Sequence, residues 1–213
     1  MRPSARLGFS GFFAVLAIAL PALAFQYPLS STEIRDAYFI GKQNDLRAAE
    51  FFARYKHVLA MPETGPHVAA ISISTPFVQV AERSGSLPDY DSLDAAKEFE
   101  AKPLLFRVRV EIDLTPTYSG LAPTDSNDIF SPAQDSWQDF HVQLVQDKMI
   151  PAKAIRGALF YSDGASNVYG IGGAIIQLVY DPEQIDTHDE VTIQVHTPDD
   201  QNVETTFDLG RLR

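Results

Sequence analysis

The sequence contains no cysteine. Disulfide staples, thiolate chemistry, cysteine-ligated zinc and iron–sulfur clusters are therefore excluded. Positive charge is also scarce: 17 Lys and Arg face 28 Asp and Glu over 213 residues, a formal net charge of −11 with pI near 4.8. That balance argues against a nucleic-acid binder, whose affinity comes from neutralising phosphates, and against a polybasic membrane-surface protein. Signatures of motif-bearing enzymes are missing as well. There is no G-x-S-x-G, no P-loop and no H-E-x-x-H. Gly170-Ile171-Gly172-Gly173 lacks the third glycine of a dinucleotide fingerprint and runs into β-branched residues instead of a helix. Enzymes whose catalytic groups converge only in three dimensions remain open. With 45% hydrophobic and 11% aromatic residues, the chain is no disordered polyanion.

The first 24 residues, MRPSARLGFSGFFAVLAIALPALA, follow the three-part order of a secretory signal peptide. Arg2 and Arg6 lead, an apolar stretch runs from Phe9 to Leu20, and Ala22-Leu23-Ala24 gives a small-x-small cleavage site. Ser10, Gly11 and Pro21 interrupt the stretch, which falls short of the ~20 apolar residues of a membrane span. Residues 1–24 are thus read as a signal peptide. The remaining 189 residues carry 15 basic and 28 acidic groups, net −13, and contain no run of spanning length. The expectation is an exported chain, periplasmic or extracellular, without a transmembrane span.

Residues 25–66 read as a helical segment packed on the core. Ser30 and Glu33 form a capping box for a short helix ending near Gly41. Asn44 opens a second, over about Asp45 to Ala60, with Ala48, Phe51, Phe52, Tyr55 and Leu59 as its apolar stripe and Pro62 beyond its end. From His67 the period changes to two. Val68–Thr75 alternates, and Phe77–Glu82 is expected to continue that strand past a bend at Pro76. A single inserted helix is predicted over Ser92–Ala101. Phe106–Leu114 alternates without error, five apolar residues against four charged ones. Shorter strands are expected at Phe140–Leu144, Ile155–Tyr161 and Val168–Tyr180, the last apolar enough on both faces to be central. Val191–Val195 and Val203–Phe207 make a hairpin. The fold class is therefore mainly β (α+β): an antiparallel β-sandwich-like domain over residues 67–213, preceded by two N-terminal helices and carrying one inserted helix.

Such folds host many activities, so function has to come from a site. The aperiodic stretch Thr115–Ser136 joins two strands, and long loops of this kind are usually functional or disordered. Tyr118, Phe130 and Trp137, in or beside it, are the candidate binding residues, aromatics suited to stacking on a sugar or anchoring a protein. Arg107 and Arg109, outward on their strand, are able to receive an anionic group or to pair with neighbouring acids such as Glu111 and Asp113. His57, His67, His141, His188 and His196 are scattered, and a strand carrying both His188 and His196 would hold them ~26 Å apart, too far for one metal. Asp181, Glu183, Asp186, Asp189 and Glu190 crowd one connection, but no EF-hand order is present. No catalytic residue, metal ligand or cofactor is assigned. The leading expectation is a secreted, non-catalytic interaction or structural module of the envelope, with an unknown protein or glycan as partner. The alternatives are a secreted glycan or peptide hydrolase using carboxylates and a calcium-dependent carbohydrate-binding or adhesion domain.

Overall fold

A computed structural model of the chain describes residues 25–63, 65–101, 104–113, 136–163 and 169–213. The capping box predicted at Ser30 opens helix α1 (Ser31–Lys42): the Ser30 Oγ accepts from the Glu33 N–H at 3.3 Å, and the Glu33 carboxylate accepts from the Ser30 N–H at 2.7 Å. The helix runs through Gly41, the residue expected to end it. Helix α2 (Leu46–Ala53) is capped by Asp45, whose carboxylate accepts the Ala48 N–H at 3.0 Å.

Two corrections follow from competition for backbone hydrogen bonds. The second helix does not reach Ala60; it ends at Ala53, and Lys56–Val58 is a strand, β1, paired antiparallel with β2 (His67–Ser74). The Ile73 N–H donates to the Tyr55 carbonyl and the Leu59 N–H to the Ala69 carbonyl, each at 2.9 Å, so sheet pairing outcompetes the helical period here. The strand does not continue beyond Pro76 either. Pro76 is the first residue of helix α3 (Pro76–Ser86), and the Thr75 hydroxyl caps it by accepting the Val78 N–H at 3.3 Å. A proline that breaks a strand also suits the first helical position, where its missing N–H has no partner to lose. Helix α4 (Ser92–Ala101) matches the predicted insertion. The insertion between β2 and β3 (Phe106–Asp113) is thus two helices, not one.

The remaining strands are β4 (His141–Val145), β5 (Met149–Ile150), β6 (Ala154–Asp163), β7 (Tyr169–Tyr180), β8 (Glu190–His196) and β9 (Asn202–Asp208). All pairings are antiparallel, in a five-stranded sheet ordered β1-β2-β3-β7-β6 and a four-stranded sheet ordered β5-β4-β8-β9. The fold is the expected β-sandwich with added helices. β7 lies inside the sheet, between β3 and β6, but only one of its faces is buried: Ala174, Ile176 and Leu178 point into the core, whereas Ile175, Gln177 and Val179 are half-buried on the outer face. The error-free alternation of β3 places Phe106, Val108, Val110 and Ile112 inward and fully buried, with Arg107 and Arg109 exposed on the other face. The inward set packs with Ile176 and Leu178 of β7 and with Leu144, Ile193, Val195 and Phe207 of the second sheet. Each such aliphatic side chain stabilises the fold by about 1.5–3 kcal/mol on burial.

A second, smaller core joins the helices: Ile34 and Ala37 of α1, Phe77, Val80 and Ala81 of α3, and Ala95 of α4. Phe51 and Phe52 of α2 pack against both cores. Helices α1 and α3 cross closely because small residues face each other. A β-carbon added to Gly41 would lie 2.0 Å from the Ala81 carbonyl oxygen, and one added to Gly85 2.8 Å from the Gly41 oxygen. Gln79 fixes α3 to the sheet by donating to the Ser74 and Leu105 carbonyls.

Candidate functional site

The strand registers align one row of side chains across the whole outer face of the five-stranded sheet. Lys56 of β1 is opposite Ser72 of β2, Ser72 opposite Arg109 of β3, Arg109 opposite Gln177 of β7, and Gln177 opposite Arg156 of β6. Directly opposed residues in antiparallel strands project to the same face. The row therefore reads Lys–Ser–Arg–Gln–Arg, three cations separated by neutral hydrogen-bonding groups. Beside it, Ser74 is opposite Arg107, and Arg107 opposite Val179.

This face is the floor of a groove walled by α3. A cavity of about 500 Å³ is lined by Lys56, Ser72, Arg107, Arg109 and Gln177 from the sheet and by Glu82 from the helix. A second, of about 570 Å³, continues from it through the shared Arg107 and Gln177 to Arg156 and Lys153, with Glu98 and Phe99 opposite.

Charges inside the groove are unevenly matched. The Glu111 carboxylate accepts from Lys56 Nζ at 2.8 Å and from Arg109 Nε at 3.1 Å. Burial works to raise the Glu111 carboxyl, but these two cations outweigh it and hold its pKa below the usual range. Glu82 behaves oppositely: burial against the groove wall lifts its pKa, and the Ser74 hydroxyl, 3.3 Å away, with Arg107 and Arg109 only partly pulls it back. Glu98 pairs with Arg83 at 3.5 Å and accepts the Tyr90 hydroxyl at 2.8 Å. Arg107, Lys153 and Arg156 have no carboxylate within ion-pair distance among the described residues.

Of the residues proposed from sequence, Tyr118 and Phe130 lie outside the described residues. Trp137 stands on a 3-10 turn (Ser136–Asp139) and is half-buried against the edge strand β6. Its ring covers Gly157 so closely that a β-carbon there would meet the indole at 1.9 Å. The expected pairing of outward arginines with acids holds for Arg109 and Glu111; Arg107 has no ion-pair partner among the described residues. His141 is exposed on β4 and stacks with His196, directly opposite on β8, at 6.4 Å between centroids. His196 Nδ1 donates to Asn202 Oδ1 (2.9 Å), and its Nε2 lies 3.5 Å from Asp200. The acids of the Asp181–Glu190 connection are spent locally: Asp181, Asp186 and Asp189 accept the N–H groups of Glu183, His188 and Glu190. Among the described residues no group of three His, Asp or Glu is arranged to hold a metal.

Sequence reasoning found Arg107 and Arg109 but missed Lys56, Ser72, Glu82, Arg156 and Gln177. Only the alternation on β3 signalled the face; its other members lie on strands whose order is not legible from one sequence.

No protein-family model matches the chain, and no curated protein matches it by sequence. Among solved structures it is similar to the IgNAR antibody domain C1, with a TM-score of 0.30 and 11% identity over 71% of this chain and 99% of that one. The fold assignment rests on the strand pairing itself.

Proposed function

We propose that this chain is an exported, non-catalytic β-sandwich module that acts by binding a partner at the cell envelope, and that it binds through the groove between α3 and the outer face of the five-stranded sheet. The observation that carries this reading is the five-strand row Lys56–Ser72–Arg109–Gln177–Arg156: its first four members line one cavity, and Gln177 and Arg156 line the adjoining one. A concave surface with a few convergent polar groups is the usual form of a ligand site. The leader-like residues 1–24 support the export.

The hydrolase alternative draws on one observation, that Glu82 and Glu111 share the groove with pKa values displaced in opposite directions. Against it, Glu111 is occupied by two cations, Lys56 and Arg109, which suits a fixed structural anion better than a proton shuttle.

The test uses isolated envelopes. Purified chain is expected to be retained by them, and Ser72→Trp or Gln177→Trp, each filling the groove floor, to abolish retention while melting like the parent. Equal retention of all three, or turnover of glycan or peptide reporters that Glu82→Gln eliminates, would overturn the reading.

A further inference from the structure

At one end of the groove, cations without carboxylates meet an apolar cavity. We infer that this end takes a single-chain anionic amphiphile, with its acid head on Arg107, Lys153 and Arg156 and its hydrocarbon chain laid over Phe99 and Leu104 towards Leu29. The assignment rests on the groove being the binding surface.

Side-chain placement carries the head. Arg107, Lys153 and Arg156 all line the cavity of about 570 Å³, and Val179 gathers them. Val179 is opposite Arg107 on one side and Ala154 on the other, and its carbonyl accepts the Lys153 N–H at 2.7 Å. Arg156 follows Ala154 by two residues, on the same face of β6. None of the three has a carboxylate within ion-pair distance among the described residues, unlike Lys56 and Arg109, which share Glu111. Glu98 lies on the same lining but is taken up by Arg83 and the Tyr90 hydroxyl. Glu82, which Arg107 influences without an ion pair, lies in the neighbouring cavity. Gathered like charges repel, and an anionic group among them turns that repulsion into attraction.

The opposite wall carries the chain. Phe99 of α4 and Leu104 line this cavity, and both also line a third one of about 300 Å³ with Leu29, Ile34 and Pro76. There α1, α3 and α4 meet the end of the sheet. Phe99, Leu104 and Leu29 are only half-buried, so apolar surface is left that a hydrocarbon chain would remove from water. With ~30 Å³ for each methylene, the share of a water molecule in the liquid, the third cavity has room for about ten. That is one chain, not the two of a bilayer phospholipid.

Simpler ligands use half of the site. A hydrophilic anion, such as a sugar acid or a nucleic acid, would match the cations and leave Phe99 and Leu104 wet. A neutral hydrocarbon would cover these and leave the cations unmatched. The chain's net negative charge opposes any anion, but charges beyond ~8 Å are largely screened at physiological ionic strength, so the contact-range cations decide.

Calorimetric titration at neutral pH, below the micelle concentration, tests the assignment with decanoate and monodecyl phosphate. At least one is expected to bind, the tighter of the two naming the acid head. Shortening its chain should weaken binding about two- to fourfold per methylene, and lengthening it beyond ten carbons should gain little. Decanol, a chain without charge, and acetate and inorganic phosphate, heads without a chain, should each bind at least tenfold more weakly. Lys153→Gln and Arg156→Gln should each weaken the decyl probe about tenfold. Leu104→Trp, which fills the apolar cavity, should reduce it to the level of the bare head. Lys148→Gln, in the turn before β5 on the other sheet, should leave it unchanged. Melting like the parent qualifies each variant, and the two cation variants decide the matter if Leu104→Trp melts early. Neither decyl probe binding, decanol or a bare head binding as tightly as the decyl acid, or both cation variants binding like the parent would overturn the assignment. Retention by envelopes that depends on Ser72, together with indifference to both decyl probes, would remove the ligand class and leave the binding module standing.

Discussion

Tyr55 grips the peptide of Arg213 at two points: its hydroxyl donates to the Arg213 carbonyl at 3.1 Å and accepts from the Arg213 N–H at 2.9 Å. The Thr75 hydroxyl donates to the same carbonyl at 2.6 Å, and the guanidinium lies over Phe77 at 5.0 Å and beside Asp36 at 3.5 Å. Residue 213 thereby ties α1, the α2–β1 junction and the cap of α3 together. Tyr55→Phe keeps the ring and removes the clasp. It should destabilise by about 1–2 kcal/mol in urea unfolding, because the Arg213 N–H loses its partner.

The same tyrosine makes stability fall in alkali. Burial pushes the Tyr55 phenol up to about 12, with the Arg213 peptide and the charges of Arg54 and Arg213 partly opposing. Burial also raises Tyr90, helped by the Glu98 carboxylate, and Tyr180. A group whose pKa is raised on folding stabilises fully below its unfolded value, near 10 for tyrosine, and loses that contribution as pH climbs through the folded value. Melting temperature should therefore hold up to about pH 10 and drop above it, less steeply in Tyr55→Phe.

Glu82 has the opposite consequence at neutral pH. Its raised pKa means that the fold prefers the protonated carboxyl and that ionised Glu82 detracts from stability. Glu82→Gln keeps a polar partner for Ser74 without the charge. Thermal melts should show the variant above the parent at neutral pH, with the gap closing as pH falls below the ordinary carboxylate range.

At the α1–α3 crossing, Gly41→Ala should destabilise by about 3 kcal/mol, and Gly85→Ala by about 1–2 kcal/mol, in urea unfolding. Alanine for glycine inside a free helix would gain about 1 kcal/mol. Here the added methyl meets backbone, not a yielding side chain, so the collision decides the sign.

Trp137, the sole tryptophan, reports on Gly157. Gly157→Ala should lift the indole off β6, shift its emission to the red and raise its quenching by acrylamide, with the parent showing neither.

What the sequence discloses depends on how local the controlling interaction is. The Ser30–Glu33 cap and the alternation of Phe106–Asp113 are set by neighbours and are read directly. Lys56–Val58 continues a helical stripe and becomes a strand only because β2 offers its edge from more than ten residues away. Phe77, Val78 and Val80 look strand-like, and the helix they form is decided by Thr75 and Pro76 in front of them and by the packing of Ala81 against Gly41. The groove was half visible, through Arg107 and Arg109. Arg156 and Gln177 join them only after two intervening strands, β4 and β5, are assigned to the other sheet.

That excursion sets a timetable. β3 is made early in synthesis, yet its second neighbour is β7, with Phe106 finally opposite Tyr180. Pairings between distant segments close slowly, since the loop entropy is lost before contacts return it. A chain emerging from the ribosome therefore exposes β3 as a temporary border, its arginines unaligned, until some seventy further residues have arrived. The groove floor is complete only once β7 has arrived, and a nascent or truncated chain ending before β7 lacks both Gln177 and the neighbour that holds β3 in place.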